Sequence, residues 1–141
     1  MARYDEKLEL LSKVSLFSLC TRKELQLIGQ LTDQVDVPAG DALTREGEPG
    51  REFYVIAEGK AKVTLNGKEL ATLGPGDFFG EMAIVDQGPR SATVTAETPL
   101  RVYMVDHQPF WTMVSEAPSV AQSVMRALAQ RLRAAENAPT Y

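Results

Sequence analysis

Nine of the ten glycines lie between Gly40 and Gly88, and only Gly29 falls outside that window. Glycine at this density permits tight turns and close backbone approaches, and it is disfavoured inside long helices. The middle of the chain is therefore restricted to short strands joined by turns, while the glycine-poor ends are free to be helical. Local patterns agree. Val35 and Val37, Ala42 to Thr44, Phe53 to Ala57, Ala61 to Leu65, Leu70 to Leu73, Ala92 to Ala96 and Leu100 to Val105 are short apolar or alternating pieces bounded by turn residues. Asn66-Gly67 separates two of them as a strong hairpin signal, and Gly74-Pro75-Gly76-Asp77 closes that unit.

The ends carry helical spacing. Leu8, Leu11 and Val14 recur every third residue, and Thr21-Arg22-Lys23-Glu24 has the form of a capping box. Leu25, Ile28 and Leu31 line one face of the helix that follows, which should stop before Pro38. Asp106 can cap a short helix through Trp111 to Val114, and a last helix from Pro118 to Glu136 carries Val120, Val124, Leu128 and Leu132 at spacing four. The expectation is a mainly β chain of about eight strands, a sandwich or jelly roll with two helices at each end. Its parts are N-terminal helices over 1–34, a β-roll over 35–105 and C-terminal helices over 106–136, in a single domain.

Composition narrows the function. The chain has 141 residues, 44% hydrophobic and 24% charged, as expected for one globular domain. No run approaches the roughly 18 apolar residues of a membrane span, and Met1 to Lys7 contains no apolar signal segment, so a cytosolic site is expected. A single cysteine, Cys20, and a single histidine, His107, speak against disulfides and the usual metal sites, so no metal or cofactor is expected. A net charge of −4 lacks the electrostatic footprint of a general nucleic-acid binder.

One stretch carries chemistry. Gly76-Asp77-Phe78-Phe79-Gly80-Glu81-Met82-Ala83-Ile84 is followed, five residues on, by Arg90-Ser91-Ala92-Thr93-Val94. A glycine opening a short helix presents backbone amides, Arg90 offers a planar donor fork suited to phosphate, and Glu81 can accept from sugar hydroxyls. From the residues alone two readings stand: a site for a compact phosphate-sugar ligand, or a Glu81–Arg90 salt bridge that closes a loop.

The same stretch closely resembles the phosphate-binding cassette of the cyclic-nucleotide-binding domain family, which includes catabolite activators, cyclic-nucleotide-dependent kinases and cyclic-nucleotide-gated channels. Leu43 to Glu48 and Phe53 to Val63 look like that family's first strands, and the likeness runs from about Leu8 to Ala135. It implies a double-stranded β-helix, with the cassette over 76–94 including a short helix. It also implies that Glu81 binds the ribose 2′-hydroxyl and Arg90 the cyclic phosphate, joined by amides around Met82, Ala83, Ser91 and Ala92, with Gly80 permitting close approach. Ser91 follows Arg90 as in catabolite activators that use cAMP, so cAMP is favoured over cGMP. Arg131 falls where some channel domains place a base-capping arginine, which implies that the last helix is a lid. From pattern alone, Arg131 bordering the apolar stripe reads as a snorkelling side chain.

Three function classes follow. The first is a non-enzymatic cyclic-nucleotide sensor, acting on an unknown partner or fused domain, with the C-terminal helix offering a homodimer surface. The second keeps the fold as a degenerate interaction domain, against which the intact Glu81 and Arg90 speak. The third is a cupin-like enzyme, which would need several histidines. The short segment after Glu136 leaves no room for a helix-turn-helix, so no nucleic-acid contact is expected through this chain. Of the remaining residues, His107 is expected at a solvated helix start and Cys20 as a small buried hydrophobe. Phe110 and Trp111 are expected as core or helix-packing residues, and Lys60, Lys62 and Lys68 as charges protecting an edge strand.

Overall fold

The computed structural model describes residues 2–136, and the side chains of residues 6–134. Helix α1 (Ala2–Lys13), a 3₁₀ turn (Ser15–Phe17) and α2 (Arg22–Gln30) precede the strands β1 (Asp33–Val37), β2 (Ala42–Thr44), β3 (Glu52–Glu58), β4 (Ala61–Leu65) and β5 (Lys68–Leu73). β6 (Phe78–Phe79), α3 (Glu81–Val85), β7 (Thr93–Ala96), β8 (Leu100–Asp106), α4 (His107–Glu116) and α5 (Pro118–Glu136) complete the order. The strands pair antiparallel in two four-stranded sheets, β1-β8-β3-β6 and β2-β7-β4-β5. This is the mainly β jelly roll with flanking helices that the glycine distribution anticipates.

β3 shows how the sequence sets the layers. Side chains alternate across a strand, and a strand buried on both faces reads as a continuous apolar run. Phe53 and Val55 join the core shared with the helices, beside Leu11, Phe110 and Val120. Tyr54 and Ile56 point the other way, into the core between the sheets with Phe79, Val94 and Val102. One strand thus stitches the helical layer to the β-roll. The capping box forms as expected, with Glu24 N donating to Thr21 Oγ1 and Thr21 N donating to Glu24 Oε1. Asp106 caps α4 by accepting from His107 N.

Several details differ from the sequence expectation. β6 is only two residues long, too short for any periodicity to announce it. Val14 follows α1 rather than belonging to it, and the 3₁₀ turn adds a helical element. Trp111 is 41% exposed while Phe110 is fully buried, because only one of two adjacent helical positions can face the sheet. Leu132 is 56% exposed, since α5 has passed the body of the fold by its final turns. Lys62 lies on β4, an internal strand between β7 and β5, so of the three lysines only Lys68 stands on the sheet edge. Cys20 is half-buried against the helical core, where burial pushes its thiol pKa up to about 11.

Candidate functional site

The cassette folds as a turn around Gly80. β6 delivers Phe79 into the core between the sheets, and Gly80, at φ +99°, reverses the chain so that α3 starts at Glu81. A left-handed backbone there favours glycine, and space demands it too: a Cβ at Gly80 would stand 2.6 Å from Glu52 O and 2.8 Å from Arg90 Nη1. After α3, the loop returns through Gln87, itself at φ +56°, to Arg90.

Arg90 is 6% exposed. Its Nη1 donates to Gly80 O at 3.2 Å, and its Nη2 stands 3.9 Å from Glu52 Oε1. Five donors with so few partners leave capacity for an anion. Glu81 is fully buried. Its carboxylate lies 2.6 Å from Arg131 Nη1 on α5, a charge contact without hydrogen-bond alignment, so neither oxygen of Glu81 has a hydrogen-bond partner. Burial pushes the Glu81 pKa up; Arg131, its own backbone amide and Arg90 oppose that shift without cancelling it. Among the described residues Glu81 and Arg90 do not pair with each other, so the loop-closing salt bridge does not form.

Gly80, Met82, Ala83, Arg90, Ser91, Ala92 and Arg131 line one cavity of about 210 Å³. Glu81 alone of the residues singled out stands behind this lining, screened by Arg131. Thr44, Val63, Leu73, Phe78, Phe79 and Val94 supply the remaining walls and were not expected as ligand contacts from the sequence. Thr44 accepts from Val94 N and donates to Ala92 O, which fixes the strand leaving Arg90. The Arg131 guanidinium also lies over the Phe78 ring, 5.6 Å from its centroid. The cavity is thus walled by apolar side chains together with the Arg90 and Arg131 guanidinium groups, the latter brought in by α5.

His107 is not among the residues lining this cavity; it stands at a helix start between Asp106 and Arg51. Among the described residues no group of three or more metal-ligating side chains occurs, and no helix is long and apolar enough to cross a membrane.

Comparison with known proteins agrees with this geometry. Residues 34–117, more than half of the chain, match the model of the cyclic nucleotide-binding domain. The CRP-like cAMP-activated global transcriptional regulator of Mycobacterium tuberculosis is 32% identical over 134 residues, covering 92% of this chain and 60% of that protein. The cAMP-dependent protein kinase regulatory subunit of Schizosaccharomyces pombe is 34% identical over 119 residues, covering 84% of this chain and 29% of that protein. Among solved structures, Thermus thermophilus catabolite activator protein superposes with a TM-score of 0.80 at 31% identity, over 86% of this chain and 60% of that one. The chain therefore spans 60% or less of the length of these relatives.

Proposed function

The chain belongs to the cyclic nucleotide-binding domain family, and we propose that it acts as a sensor that binds a 3′,5′-cyclic nucleotide without metal. The carrying observation is the buried pair of opposite charges at one cavity, each short of partners. Arg90 keeps free donors, and both Glu81 oxygens lack hydrogen bonds. Buried polar groups are normally satisfied, so these two invite a ligand bearing an anion and a hydroxyl at short spacing. In this reading Arg90 holds the cyclic phosphate, with the amides around Met82, Ala83, Ser91 and Ala92, and Glu81 accepts from the ribose 2′-hydroxyl. Because Arg131 already occupies the approach to Glu81, the ribose has to share that carboxylate or displace the arginine toward the base. Ligand occupancy is thereby coupled to the position of α5, which serves as the lid. The chain is a binding module in this account, not an enzyme, and the signal leaves through a partner or fused domain.

We favour cAMP over cGMP. The M. tuberculosis relative is described as cAMP-activated, although cGMP-dependent kinases of Plasmodium berghei and Toxoplasma gondii match at 33% and 35% identity. Calorimetric titration in EDTA, with cAMP and then cGMP, tests the reading. One saturable site with cAMP the tighter ligand is expected, and no heat with either would overturn it.

A homodimer is also proposed. Ala121, Met125, Leu128 and Leu132 on α5 follow the 4-3-4 spacing of a coiled-coil seam. Met125 is 65% exposed and Leu132 56% exposed, while Leu128 packs partly on the chain's own core, so two of the four seam positions are open to a second copy of the helix. Sedimentation equilibrium should show a dimer that Met125→Glu dissociates; a wild-type monomer at all concentrations would refute it.

A further inference from the structure

The backbone of Arg90 is pinned on both sides. Arg90 N donates to Glu48 O at 2.8 Å, and Gly47 N donates to Arg90 O at 2.9 Å. Pro49 faces Pro89 in an isolated antiparallel bridge. The next residue, Gly50, lies directly against the Arg90 side chain. A Cβ placed there would stand 2.3 Å from Nε and 2.6 Å from both Cδ and Cζ. Gly80 closes the opposite side of the same slot, near Nη1.

The two glycines differ in what requires them. Gly80 has a positive φ, so its backbone alone explains the residue type. Gly50 is not among the positive-φ glycines, and an L side chain could adopt its conformation. The three atoms nearest to a Cβ there all belong to the Arg90 side chain. We propose that Gly50 is a positioning residue for Arg90, and that its missing side chain sets the direction in which the guanidinium meets the cavity. Arg90 has few partners to hold it otherwise: one hydrogen bond to Gly80 O, and the Glu52 carboxylate at 3.9 Å. Because residues 47–49 fix the Arg90 backbone, a methyl group at Gly50 is relieved by moving the side chain, and the donor fork leaves its place.

This rests on the reading that Arg90 holds the ligand phosphate, and a double-mutant cycle separates the two. cAMP is titrated calorimetrically into the full chain as wild type, Gly50→Ala, Arg90→Ala and the double variant, with thermal midpoints recorded. Gly50→Ala should weaken binding at least about tenfold, approaching the loss caused by Arg90→Ala. In the double variant it should add nothing, since the side chain that it displaces is gone. A merely structural glycine would weaken the Arg90→Ala protein further, which would overturn the proposal. So would Gly50→Ala binding within about twofold of wild type while Arg90→Ala loses affinity. If Arg90→Ala binds as wild type, the phosphate assignment falls and the role of Gly50 with it. If Gly50→Ala fails to fold, the double variant decides: recovery of the fold confirms the clash with Arg90, and continued failure refutes it.

Discussion

The two charged ends of the cavity are built in opposite ways. At the Arg90 end the backbone is locked to residues 47–49, the side chain is 6% exposed, and two glycines leave it a narrow slot. At the Glu81 end, the carboxylate is equally buried, but its countercharge comes from Arg131, a side chain 41% exposed near the end of α5. The first end belongs to the β-roll and its loops. The second is completed by a helix whose last turns extend beyond the core. An anion site built on a fixed frame binds with little reorganisation, whereas a site closed by a helix can report occupancy by moving it. The difference assigns affinity to one end and signal to the other.

Removing the fixed charge should have the largest effect. Arg90→Ala takes away a buried partner for the phosphate, a loss of about 2–5 kcal/mol or roughly 30-fold and more in cAMP affinity. Calorimetry measures it directly, and unchanged affinity in a folded variant would erase the contrast between the ends.

Glu81 comes next. A hydrogen bond to a charged group is worth about 1.5–3 kcal/mol. Glu81→Ala should weaken cAMP by that order, and the variant should no longer distinguish cAMP from its 2′-deoxy analogue. Wild type binding both analogues equally would give Glu81 another task. Its titration sharpens the point. Burial raises the Glu81 pKa despite the opposing Arg131, its own amide and Arg90. A ligand hydroxyl donates to the ionised form, so affinity is full above that raised pKa and falls as pH drops through it. For folding the sign is the opposite: the protonated form is the easier to bury, so Glu81 favours the native state at low pH and costs stability as pH rises through its folded pKa. Binding measured against pH should show an acid limb above the ordinary carboxylate range, and Glu81→Gln should remove it.

The smallest of these effects is expected at Arg131. Its partly exposed guanidinium contributes through solvent, so Arg131→Ala should weaken cAMP by less than about tenfold. A loss equal to that of Arg90→Ala would mean that the lid end is as tightly built as the phosphate end.

How much of this the sequence disclosed follows the same division. The strands were legible because β3, β4 and β8 alternate or run apolar between glycine turns, and both capped helix starts were legible because caps are local. The cassette residues were legible because they are contiguous, and seven of the eight flagged residues line one cavity. What escaped is non-local. Nothing in the chain near Gly50 or Glu52 points to Arg90, because the contact is made where the start of β3 and the loop before it meet the loop after α3. Glu81 and Arg131 were each singled out, but their pairing depends on where α5 leaves the fold. Trp111, which reads as a core or helix-packing residue, and Leu132, on the spacing-four stripe, stand 41% and 56% exposed, because local pattern does not register where a helix faces or outruns its support.

Amide hydrogen exchange with and without saturating cAMP compares the two ends in one experiment. The account predicts that residues 120–134 of α5 gain protection on ligand addition, while the pinned amides of Gly47 and Arg90 exchange slowly in both states. Identical exchange along α5 with the site demonstrably filled would contradict it, and would make the helix a static wall of the cavity.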